Sequence, residues 1–176
     1  MNTGQVVFVI IAFIFLSTLM LNFNRTTAFG TGSVDYAQRG ILLTTVSTSY
    51  GEIIRGLSFD ENSDSNWVPS DQLNLLTAPN RLGPESAAED SIRLMNDVDD
   101  FNGQTFDKAI PGTGKIFRST FRVRYVDPQN PSTIAAHQTL VKQIEISTWQ
   151  ISPGVLTPMP GDTLHSQMLV GYFHFN

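Results

Sequence analysis

Residues 6–21 read VVFVIIAFIFLSTLML and carry no charge. The polar members, Ser17 and Thr18, can return their hydroxyls to a helix backbone. A helix that is apolar all round must be buried all round, in lipid or among other helices, so surface docking through one face is excluded. At 1.5 Å per residue the run spans about 24 Å, and it approaches the ~30 Å of a bilayer core once residues 2–5 and 22–23 extend it. A cleaved secretory signal is the competing reading, supported by the run length and by the small-x-small triplet Ala28-Phe29-Gly30. Against it, the opening MNTGQ holds no Lys or Arg.

The next stretch, NFNRTTAFGTGS (22–33), is rich in residues that weaken helix propagation: Asn22, Asn24, Thr26, Thr27, Gly30 and Gly32. A break is expected near 22–32. Helical spacing then resumes with Leu42, Val46, Tyr50, Ile53, Ile54 and Leu57 on one face. Ser33 is placed to cap this second helix, with Asp35 in its first turn. The expected organisation is an apolar helix over 1–32 and a head over 33–176, the head comprising an amphipathic helix at about 33–58, a loop at about 59–100 and an antiparallel sheet at about 105–176.

Within the head, residues 58–84 are rich in Ser, Asn, Asp, Pro and Gly and read as a surface connection, with Trp67 as its anchor. Residues 85–95 suit a short helical turn. Three alternating segments follow, 116–125 (IFRSTFRVRY), 140–151 (LVKQIEISTWQI) and 164–175 (LHSQMLVGYFHF). In the first, Phe117, Ser119, Phe121, Val123 and Tyr125 share one face, and Arg118, Thr120, Arg122 and Arg124 the other. The second alternates likewise, with Glu145 and Lys142 expected to be available to the arginines. Turns at 127–131 and 152–154 would join such strands into an antiparallel sheet with one covered face, and the amphipathic helix is its natural cover. The fold class is α+β.

Composition removes several functions. Of the 176 residues 15% are charged, the net charge is -5, and there is no basic cluster of the kind nucleic acid requires. There is no Cys, hence no disulfide, thiolate metal site or Cys nucleophile. His137, His165 and His174 are scattered, and His165 and His174 fall on opposite faces of one strand. Gly112-Thr113-Gly114-Lys115 lacks the strand-to-helix setting of a phosphate loop and reads as a hairpin turn. Asp97, Asp99, Asp100 and Asn102 offer the hard oxygen ligands that Ca²⁺ takes, but their spacing misses the D-x-D-x-D-G register. A solvated turn is expected there, with no metal, no cofactor and no enzymatic activity.

The order of apolar helix, amphipathic helix, variable loop and antiparallel sheet resembles type IV pilins and the pseudopilins of type II secretion. At residue level MNTGQVVFVIIAFIFLSTLML resembles a mature pilin N-terminus, and NDVDDFNG (96–103) resembles a segment of some minor pilins and pseudopilins. The chain departs from the family in having Gln5 where Glu is usual, Asn22 where Pro is common, and no cysteine pair.

The resemblance implies a cell-surface filament subunit, drawn from an inner-membrane-anchored pool by pilus or type II secretion-like assembly machinery. Its helix would leave the bilayer to pack against the same helix of other copies, with Gln5, Val6, Phe8, Ile11, Phe13, Phe15, Leu16, Leu19 and Leu21 at the polymer core. In the family the fifth-position carboxylate neutralises a neighbour's amino terminus, and Gln5 would bring a hydrogen bond without the charge. The partner is then the chain itself, with membrane before assembly and no nucleic acid. The alternatives are a minor pilin or pseudopilin whose head binds partner proteins, and a single-pass anchored binding protein.

Overall fold

The computed structural model describes residues 2–64, 67–86, 91–151 and 162–172. Within them the chain is α+β: a long helix α1 (Thr3–Arg55), a single turn α2 (Glu61–Asp64), and strands β1 (Thr105–Ile110), β2 (Lys115–Tyr125), β3 (Val141–Ile151) and β4 (Thr163–Gly171). By contacts it forms two compact units, Met1–Leu42 and Leu43–Asn176.

The expected break at Asn22, Asn24, Gly30 and Gly32 is corrected: α1 is continuous through them. No proline removes a backbone donor between residues 22 and 33. The hydroxyls that compete with a helix elsewhere are absorbed by it here. Thr18 donates to the Ile14 carbonyl (2.8 Å), Thr27 to Phe23 (2.9 Å), Thr31 to Ala28 (3.0 Å) and Ser33 to Phe29 (3.0 Å). Ser33 therefore bonds back into the helix and starts none. A propensity deficit of at most about 1 kcal/mol per residue hinders nucleation more than it stops a running helix.

In the second unit, α1 buries Leu43, Val46, Ser47, Tyr50 and Ile54, a stripe spaced by three and four. Leu43 takes the place expected of Leu42, and Ile53 stays exposed. The stripe faces a four-stranded antiparallel sheet of order β1-β2-β3-β4. Tyr50 meets Phe121 edge-on at 5.2 Å and stacks on Phe106 at 6.3 Å, while Ser47 and Ser166 share a hydroxyl bond of 2.6 Å. The helix-facing side of the sheet is the apolar phase expected of β2: Phe117, Ser119, Phe121, Val123 and Tyr125 are all buried.

The opposite face carries Arg118, paired with Asp107 at 2.7 and 2.8 Å, and Arg124, paired with Glu145. Strand β1 was not among the three expected. It reaches β2 through residues 111–114, which overlap the hairpin turn expected at 112–115, and Gly112 and Gly114 there take φ of 76° and 66°. The turn at 152–154 lies outside the described residues. Trp67, the expected anchor of the long connection, is 57% exposed, and its neighbour Val68 is buried, in a cluster with Phe59, Leu76 and Tyr125.

Candidate functional site: the apolar helix and a buried acid cluster

Every residue from Asn2 to Gln38 is exposed. Phe8, Ile11, Phe13, Phe15, Leu16, Leu19 and Leu21 are more than half exposed, and Val6 is 41% exposed. This is the one helix among the described residues that is long and apolar enough to cross a membrane, judged by length and composition. Each large apolar side chain left in water forfeits roughly 1.5–3 kcal/mol, so the segment's covered state is favoured by tens of kcal/mol in gross terms. Gln5 closes the helix start. Its Oε1 accepts the Asn2 N–H at 3.3 Å, the bond a third-position Gln makes in a capping box.

The expected solvated turn at Asp97, Asp99 and Asp100 is corrected: all three aspartates are fully buried, as is Asp60. A short parallel contact starts the clasp, with Ser58 N–H donating to Asn96 O (3.2 Å) and Val98 N–H to Ser58 O (3.0 Å). Asp97 Oδ1 then accepts the N–H groups of Asp99 (2.8 Å) and Asp100 (3.2 Å), and Asp100 Oδ2 accepts those of Asn96 (3.0 Å) and Asp97 (3.3 Å). These bonds fix the tight turn at 99–101 and press Phe101 edge-on against Phe121 at 5.1 Å. Asn102 is committed to the same clasp, its Nδ2 donating to Leu82 O (2.9 Å) and its Oδ1 accepting Val123 N–H (3.0 Å). It is thereby removed from the candidate ligands.

At the centre sits Lys142, fully buried on β3. Its ammonium donates to Phe59 O (2.7 Å), to Asp60 Oδ2 (2.9 Å) and to Asp99 Oδ1, which uses all three of its protons. The rings of Phe59 and Tyr125 lie 4.6 and 5.2 Å from it. Tyr125 O–H donates to Asp60 Oδ2 (3.2 Å) and Thr77 O (2.9 Å).

The environments separate the acids. Burial opposes ionisation of Asp60, but Lys142 and the N–H groups of Thr77 and Asn62 more than offset it and hold the carboxyl below its ordinary value. Burial, then the charge of Asp99, pushes Asp97 up to about 8. Burial likewise raises Asp99, although Lys142 opposes it. Three carboxylate oxygens, Asp97 Oδ2, Asp99 Oδ2 and Asp100 Oδ1, are buried without a partner.

Asp60 was not singled out from the sequence and Tyr125 was placed only on the apolar face of β2, while the expectation of Lys142 beside the arginines is corrected: it is buried against Asp60 and Asp99. A signal existed for Lys142, which stands in the apolar phase of its segment between Leu140 and Ile144, where a solvated lysine has no place. His165 Nδ1 lies 2.9 Å from Ser147 Oγ on the outer sheet face. The nearby acid Glu145 is engaged by Arg124 and by Gln167 (3.2 Å), and no other carboxylate is seen bonded to this ring among the described residues.

Comparison with known proteins finds no matching family model, no matching curated protein and no matching solved structure. The long apolar helix joined to an antiparallel sheet is compatible with a pilin-like architecture, and further reading rests on the residues themselves.

Proposed function

We propose that this chain is the structural subunit of an extracellular, type IV pilus-like filament that polymerises through α1. One observation carries the reading: a helix with its whole circumference apolar and exposed over residues 6–21. Such a surface has two stable environments, lipid and a bundle of its own kind, and transfer from one to the other exchanges similar burial. Contacts between copies are then head-to-tail and repeat without closing, which generates an open helical polymer. The back-bonded hydroxyls of Thr18, Thr27, Thr31 and Ser33 suit both environments, because none of them needs water. The head forms the outer shell.

Ile11→Asp tests the reading. A charge at mid-helix costs about 2.5–3.5 kcal/mol in the membrane on an insertion scale and more in a dry bundle, and Ile11 is remote in sequence from the head. Loss of surface fibres with an unchanged head is expected. Abundant fibres from the variant would overturn the proposal.

A further inference from the structure

We propose that Glu85, Asp97 and Asp99 form a binding site for a divalent cation that prefers oxygen ligands, Ca²⁺ first among them. One carboxylate oxygen from each lies within 4.8 Å of the others. Ca²⁺ binds oxygen at 2.3–2.6 Å, so two ligands on opposite sides of one ion stand up to about 5 Å apart, and the spacing fits.

The second observation is independent of that proximity. Asp97 and Asp99 are fully buried, and the Oδ1 atom of each is taken, the first by two backbone N–H groups and the second by Lys142. The Oδ2 atom of each has no partner. Carboxylate oxygens out of water and unsatisfied are costly, and a cation between them removes that cost. Charge points the same way, since among the described residues Lys142 is the one buried cation beside the buried acids Asp60, Asp97, Asp99 and Asp100.

Glu85 supplies the route in. It is exposed and lines an open groove of 650 Å³ with Glu61, Asn62, Thr77 and Arg81, so an ion meets Glu85 before the buried pair. All three ligands are carboxylates, which disfavours Zn²⁺. They come from two loop segments rather than one rigid element, which suits the variable geometry of Ca²⁺ better than the strict octahedron of Mg²⁺.

The inference is independent of filament formation and is tested on the full chain in detergent micelles. After chelator treatment at neutral pH, CaCl₂ is titrated calorimetrically and the thermal transition is followed with and without it. Uptake of one ion per chain is expected, with an affinity of about 10⁻⁴–10⁻³ M and a Tm higher by several degrees. Glu85→Gln, at an exposed position, should weaken binding by about tenfold or more. Asp97→Asn keeps an acceptor for the two N–H groups and should weaken binding similarly. A natively folded chain that takes up no Ca²⁺ at millimolar concentration overturns the proposal, and so does binding that both substitutions leave intact.

Discussion

Lys142 Nζ lies 2.9 Å from Asp60 Oδ2, and both side chains are wholly shielded from solvent. The contact joins the middle of the sheet to the chain just beyond α1, so it locks the end of the helix to the head. Lys142→Met leaves Asp60 and Asp99 buried without their counter-charge. Breaking one side of such a pair costs about 3–5 kcal/mol. A fall of that size in urea denaturation of the full chain in micelles is expected.

Tyr125→Phe probes the same centre more gently. The lost hydroxyl abandons Thr77 O and one of the contacts to Asp60. Destabilisation of about 1–3 kcal/mol is expected from the same denaturation experiment, with the secondary structure unchanged by circular dichroism.

Stability should depend on pH through Asp97. Its carboxyl is raised from an ordinary value of 3.8 to about 8 in the fold. Between those values the folded chain holds a proton that the unfolded chain has released, so stability contributed by this group is full at low pH and is lost as pH rises to about 8. Asp60, held low by Lys142, acts oppositely, and its contribution is lost as pH falls below the ordinary carboxylate range. With chelator present, Tm should therefore decline from about pH 5 to pH 8, and Asp97→Asn should flatten that decline.

Gln5 has a role inside its own chain, as the acceptor for Asn2 N–H, and the first turn of α1 holds no acidic residue. Gln5→Glu keeps the acceptor and places a negative charge at the positive end of the helix. A gain of about 0.3–1 kcal/mol is expected, read as slower amide exchange over residues 3–8 in micelles.

Gly30 and Gly32 lie in an unbroken helix, and a Cβ added at either would meet nothing within 4 Å. Alanine there should raise helix stability by about 0.5–1 kcal/mol at each site, measured as amide protection across residues 26–36.

Much of this architecture was legible. The uncharged run 6–21 announced an apolar helix, and strict alternation in 116–125 announced β2 with its buried side correctly chosen. What failed did so for identifiable reasons. Weak formers between Asn22 and Gly32 suggested a break, but propensity is a local preference and the hydroxyls there had carbonyls of their own helix to bind. The aspartates of 97–100 looked solvated because burial of an acid is set by its partners, and the decisive one, Lys142, lies more than forty residues away in sequence. Pattern within a segment cannot disclose a contact between segments. Lys142 itself did carry a trace, as a lone cation in the apolar phase of a strand.

The central claim, that α1 builds a polymer, is tested most directly by electron microscopy of material sheared from cells expressing the chain, with mass spectrometry of the same fraction. Long thin fibres whose main component is this chain, with residues 6–21 retained, are the predicted result. A chain recovered wholly in the membrane fraction as a monomer, with no fibres, would contradict it.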